Sequence, residues 1–158
     1  MLFRSGDPVP CDVLLQLVDF IGAFADGFHH GKEETCLFPA LDRRGIAHDG
    51  GPLAAIERQH QIERALTAEM RGAVEQYREV DPASRSRFIE SASKYVDHLI
   101  GHMEGEESLL FRIADEVLEE SDKAALAEAF KQAEEQLSPR TVEYYDRLAA
   151  ELEEKWAL

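Results

Sequence analysis

A ten-residue pattern that occurs twice constrains this chain more than any other feature. His29-His30-Gly31-Lys32-Glu33-Glu34-Thr35-Cys36-Leu37-Phe38 returns as His102-Met103-Glu104-Gly105-Glu106-Glu107-Ser108-Leu109-Leu110-Phe111. Both copies read His-x-x-x-Glu-Glu-x-x-Leu-Phe. Residues four apart share one face of a helix, so each copy sets an imidazole beside a carboxylate. Two such helices facing each other bring both donor types to one place, which is how four-helix bundles assemble paired metal centres.

The remaining sequence supplies the helices. Apolar residues recur at helical spacing, and strand-like alternation is hard to find. The spacing predicts helices over 11–42, 53–79, about 82–119, 121 to about 137, and 139–157. Arg43-Arg44-Gly45 ends the first, and His48-Asp49-Gly50-Gly51-Pro52 forms a loop rich in breakers. Asp81-Pro82 opens the third helix with an N-cap and a proline at the first helical position. Ser121-Asp122 opens the fourth, and Ser138-Pro139 the last, which carries the stripe Val142, Tyr145, Leu148, Leu152 and Trp156. The whole 1–158 reads as one all-α domain with a core of about 11–120 and a helical extension from 121 to 158.

An ideal α-helix turns about 100° per residue, which sorts inward from outward positions. In the first helix His29 and Glu33 fall at or beside the stripe of Leu14, Leu17, Val18, Ile21, Ala25 and Phe28. His30 and Glu34 turn away, so His30 reads as an exposed neighbour. In the third helix Glu106 is central to the stripe of Phe88, Ala92, Tyr95, Leu99, Leu110 and Ile113, with His102 close by and His98 at its edge. A carboxylate in an apolar stripe needs a partner. Glu33 and Glu106, each with its own histidine, explain one another if a cation lies between them. The second helix adds His60, sharing a face with Leu53, Ile56, Thr67, Met70 and Val74, and Glu63 is a reserve ligand. His29, Glu33, His60, His98, His102 and Glu106 are the candidate metal ligands. His48 is expected to be exposed and Cys36 to be a small core residue.

Composition narrows the functional classes. The formal charge of −15 and pI near 4.7 argue against nucleic acid and anionic membranes as partners. No apolar run approaches the ~20 residues of a membrane span, and Met1 to Gly6 lacks the apolar stretch of a signal peptide. Two cysteines, Cys11 and Cys36, make no disulfide framework, so a reducing cytoplasm is the expected location. There is no phosphate loop, no nucleotide motif and no nucleophile–base arrangement, so no catalytic residue is assigned.

The stretch from about Pro8 to Phe111 resembles the hemerythrin-like, or HHE cation-binding, family. The resemblance lies in the block His29 to Pro39, the loop from Arg44-Gly45-Ile46 to Asp49-Gly50-Gly51-Pro52, His60, and the His102-x-x-x-Glu106 block. It implies an up-down helical bundle around two non-haem, carboxylate-bridged irons, with dioxygen or nitric oxide as the small ligand. Manganese and zinc also suit such donors. By this resemblance Glu33 and Glu106 match bridging carboxylates, and His29, His60 and His102 match terminal imidazoles. Two departures stand out. The family's usual N-terminal helix and its ligand histidine are missing, and Arg64 occupies a position where a classical member has a second histidine. His98, His30 or water would then fill the gap.

Three functions follow as expectations. The first is a non-haem di-iron protein that binds or senses dioxygen or nitric oxide. The second is an enzyme of the di-iron peroxidase or oxidase type. The third is a metal-poor helical module acting through protein contacts. The missing helix leaves one side of the bundle open, to be closed by the C-terminal helix or by a homodimer; closure within the chain needs only the turn at Ser138-Pro139.

Overall fold

The computed structural model describes residues 9–78, 81–136 and 139–156, and every element among them is helical. Five helices follow one another. Helix α1 runs over 11–43, α2 over Gly51–Glu75, α3 over 82–117, α4 over Glu120–Gln136 and α5 over Pro139–Trp156. Helix α2 begins at Gly51 and ends at Glu75 with Gln76 as its C-cap, short of the expected 79, and α3 ends at Val117 rather than at about 119 because Leu118 is extended. The expected ends at 137 and 157, the Ser138 start and the stretch Met1 to Gly6 lie outside the described residues. None of the described helices is long and apolar enough to cross a membrane.

The punctuation behaves as its chemistry demands. Helix α1 stops in a Schellman motif. Ile46 N–H reaches the carbonyl of Leu41 (3.1 Å) and Gly45 N–H that of Asp42 (2.9 Å), with Gly45 at φ 90°. That left-handed conformation suits glycine because it has no Cβ. Ile46 then packs on the cluster containing Leu41. Asp81 caps α3, its carboxylate accepting from the N–H groups of Ala83 and Ser84 at 3.1 Å each, with Pro82 behind it.

Two helices depart from α geometry. In α1 the segments Ile21–His29 and Glu33–Leu37 are π-helical, and in α3 so is Glu106–Leu110. A π turn holds more residues than an α turn, so it resets which residues face inward. Leu14, Val18, Asp26, His30, Glu33, Leu37 and Leu41 are all buried along α1. In an unbroken α-helix His30 would lie roughly 160° away from Leu14. The π segment between them winds that difference back.

Helices α1, α2 and α3 enclose two apolar clusters with a polar layer between. One contains Leu14, Val18, Met70, Val74, Tyr77, Phe88 and Tyr95; the other contains Leu37, Phe38, Leu41, Leu53, Ile56, Leu110 and Leu118.

Helices α4 and α5 run back along α1. Arg44 bonds Asp122 (2.6 Å) and Glu119 (2.7 Å) at one end. Further along, Lys32 pairs with Glu134 at 3.0 Å and sits over the ring of Phe130 at 5.2 Å. Tyr145 then meets Phe20 edge-on at 5.5 Å, and Leu148 is buried. As numbers rise from 119 to 145, their partners fall from Arg44, just past the end of α1, to Phe20, so the pair lies antiparallel to α1. Leu126 and Phe130 also pack on the end of α3 through Leu118 and its neighbours. The C-terminal helices thus occupy the flank left free by α1–α3. Of the expected stripe on α5, Leu152 is half-buried; the side chains of Val142 and Trp156 lie outside the described residues.

Candidate metal centre

Three helices fill the polar layer. Helix α1 contributes Asp26, His30 and Glu33, α2 contributes His60 and Glu63, and α3 contributes His102 and Glu106, all buried. Glu33, His60, His102 and Glu106 each offer one donor atom, and these atoms lie within 4.8 Å of one another. Glu33 Oε2 is 3.2 Å from His60 Nε2, and Glu106 Oε1 is 3.0 Å from His102 Nε2. Donors at right angles around an ion roughly 2.1 Å away stand about 3 Å apart, so the spacing fits a shared cation.

Proton bookkeeping at the rings supports the same conclusion. His60 Nδ1 lies 2.8 Å from Glu34 Oε1, and His102 Nδ1 lies 3.3 Å from Gln59 Oε1. A carboxylate or amide oxygen only accepts, so in both rings Nδ1 is the donor. In the neutral imidazole Nε2 then carries a lone pair, aimed at a carboxylate oxygen. Two lone pairs facing each other in a dry interior repel unless a proton or a cation stands between them. Glu33 Oε2, His60 Nε2, His102 Nε2 and Glu106 Oε1 are all buried without a hydrogen-bond partner. Four such orphans in one place would be costly in a protein with nothing to bind; the donor set fits a metal ion.

The electrostatics show how strongly the paired donors act on one another. Burial pushes the Glu106 carboxyl up, yet the His102 imidazole outweighs it and holds Glu106 below the usual range. Burial opposes a charged His102, and Glu106 reverses that, raising the imidazole. Glu34 is also held low: burial raises it, but His60 and Arg64, the latter 2.8 Å away, prevail. Carboxylate partners of this kind fix the orientation of a ligand histidine.

The six candidate ligands do not all converge. Glu33, His60, His102 and Glu106 do. His29 is half-exposed, with a side chain 46% accessible, and its Nε2 stands 3.9 Å from both Glu33 Oε1 and Glu106 Oε1. His98 lies at the edge, its Nδ1 3.1 Å from Glu63 Oε1. The expectation that His30 faces outward is overturned, while His29 sits at the edge of the polar layer. His30 is 1% exposed and its ring stacks on His60 with centroids 4.0 Å apart. The reason is the π segment, which 100° arithmetic does not contain. His102 and Glu106 keep their expected places because α3 is regular up to Glu106.

Asp26, Glu34 and Gln59 did not stand out in the sequence as parts of the site. For Glu34 a signal was present in the doubled Glu-Glu pair, of which only the first member was read as a ligand. His48 is exposed, as expected, and lies 3.5 Å from Glu57. Cys36 is half-buried, its thiol 3.5 Å from the Thr35 hydroxyl.

Comparisons with known proteins agree with this geometry. The Hemerythrin HHE cation binding domain matches the chain over residues 4–114 and again over 52–156. The first stretch covers α1 to α3 up to Ala114 and the second covers α2 to α5. An uncharacterized protein of Mycobacterium bovis is 24% identical over 131 residues, covering 83% of this chain and 51% of its own length. An uncharacterized protein of Mycobacterium tuberculosis matches to the same extent in two strains. The chain thus spans about half the length of the curated relatives it matches. No solved structure matches it.

Proposed function

Because this chain belongs to the hemerythrin HHE cation-binding domain family, we propose that it holds two non-haem irons and binds or senses dioxygen or nitric oxide. The observation that carries this reading is the convergence of four buried, unpartnered donor atoms from Glu33, His60, His102 and Glu106. Mixed carboxylate and imidazole ligation suits iron, with manganese next. When bound, iron supplies a centre that can change oxidation state and accept a diatomic ligand.

The chain's own residues do the rest. Glu33 on α1 and Glu106 on α3 would neutralise bound cations. His60 and His102 are held as Nδ1–H tautomers by Glu34 and Gln59, which keeps each Nε2 free to coordinate. The Phe38 ring lies parallel to His60, with centroids 5.9 Å apart, and shields that side from water. His29 marks the open side: half in solvent and near both glutamates, it lines the approach for a small molecule.

Anaerobic loading of the metal-stripped protein with ferrous iron tests this. About two irons per chain are expected, as in di-iron bundles. Near-ultraviolet charge-transfer absorption should appear on exposure to dioxygen or nitric oxide. A folded protein that refuses iron would overturn the proposal.

The exposure of His29 beside the two glutamates also favours a second reading, turnover of hydrogen peroxide, since an accessible centre admits reactants as readily as ligands. Peroxide consumption lost in Glu106→Ala and kept in a Glu153→Ala control would identify it.

A further inference from the structure

Away from the metal centre, α3 carries an apolar stripe that the rest of the chain leaves half in water. Ile89, Val96, Ile100 and Met103 are 38, 52, 54 and 51% exposed. Scattered apolar residues on a surface need no explanation, but a contiguous row does. Helix α3 is regular from Pro82 to Gly105, so 100° per residue holds here. On that arithmetic these four and half-buried Ala92 fall within about 80° of one another, in a stripe about 21 Å long. Arg85 continues it at one end and exposed Glu107 at the other, and no charge lies on it between them.

The spacing of this stripe is symmetric. From Arg85 to Glu107 the steps are 4, 3, 4, 4, 3 and 4 residues, the same in both directions. A two-fold interface requires that: where residue i of one copy meets j of the other, j must meet i. Laid antiparallel with Val96 on the dyad, Ile89 meets Met103 of the second copy, Ala92 meets its Ile100, and Arg85 meets its Glu107. Apolar residues then face apolar ones, and the end charges are opposite. Parallel pairing would set Arg85 on Arg85 and Glu107 on Glu107, which like charges oppose. A groove for a foreign helix has no need of a pattern symmetric about its own midpoint.

We propose that two copies of this chain pair through α3, antiparallel about Val96. One helix pair of this length buries less than the ~800 Å² per partner of a standard interface, and each copy carries a charge of −15. The dimer is therefore reversible. It forms as concentration rises and as salt screens the general repulsion.

The test uses the full chain. Sedimentation velocity across a wide concentration series should show wild type rising from one 17.8 kDa chain toward two. Val96→Lys sets two like charges on the dyad and should stay monomeric at every concentration. Its circular dichroism and melting temperature should match wild type, because the side chain is half in water. Register is read with a short bis-maleimide. Val96→Cys should cross-link to itself above the background that Cys11 and Cys36 give in wild type. Ile89→Cys alone should not, since its two copies stand about 21 Å apart, whereas Ile89→Cys mixed with Met103→Cys should. A wild type that stays monomeric throughout leaves the stripe to another protein and overturns the proposal. So does a Val96→Lys chain that dimerises as tightly as wild type, which places the interface elsewhere. Self-cross-linking of Ile89→Cys means parallel pairing and overturns it as well.

Discussion

Glu34 is outside the donor set, yet its carboxylate fixes the proton of His60 on Nδ1 and so frees Nε2 for a cation. It is itself held by Arg64, the residue found where a classical family member has a second histidine. Arg64 supplies no lone pair to a metal; it steadies the carboxylate that holds His60. Outer partners of ligand histidines are worth about 10–100-fold in metal affinity. Glu34→Ala should therefore weaken binding by about that factor in a chelator-competition titration. Glu34→Gln keeps an acceptor for the ring N–H and should recover most of it. Equal affinity in wild type and Glu34→Ala would show that His60 needs no such support. The Glu34–Arg64 pair is partly exposed and is worth under about 1 kcal/mol by itself, so lost affinity cannot be ascribed to a lost salt bridge.

At the scale of the element, the sequence announced where helices begin and end but not their phase. Gly45, Asp81 and Pro82 act through backbone chemistry that is local, and the structure confirms each. Rotational phase depends on a uniform 100° per residue, and a π segment breaks that premise without a distinctive residue to announce it. Hence His102 and Glu106 were legible, because α3 is regular up to Gly105, whereas the burial of His30, beyond a π segment of α1, was not. The buried residues Leu14 and Val18 hold the clue only when read with Leu37 and Leu41, since no single α phase buries all four with His30. The start of α4 was legible too. The Asp122 carboxylate accepts from the Glu119 N–H at 3.0 Å and from Arg44 at 2.6 Å. It is held below the ordinary value of 3.8, first by that backbone hydrogen bond, although desolvation opposes it, and then by Arg44. A depressed carboxylate contributes stability that is complete above its ordinary value and fades as pH falls through the lower folded value. The melting-temperature difference between wild type and Asp122→Ala should be constant at neutral pH and shrink below about pH 4. A difference unchanged down to about pH 3 would mean that Asp122 does not tie α4 to the end of α1.

For the whole molecule the decisive element is α5, which carries no histidine and contributes none of the donors described above. Its role is to cover. Tyr145 lies edge-on to Phe20 and Phe24, at 5.5 and 6.5 Å, and Leu148 is 5% exposed. Burying a leucine contributes about 1.5–3 kcal/mol, and aromatic pairs add about 0.5–1.5 kcal/mol each. The cover is one-sided. Val96, Ile100 and Met103 on α3 remain 52, 54 and 51% exposed, so α5 shelters α1 more than α3. Deleting residues 139–158 should bare Phe20 and Phe24 and lower the melting temperature, by about 2–4 °C for each kcal/mol lost in a chain of this size. Alternatively, it should drive self-association through the exposed face, visible by sedimentation. Metal uptake should survive in whatever fraction stays folded, because Glu33, His60, His102 and Glu106 are untouched. A truncated chain that is monomeric, soluble and equally stable would show that α5 covers nothing. One that is stable but binds no metal would show that the C-terminal helix shapes the site from a distance.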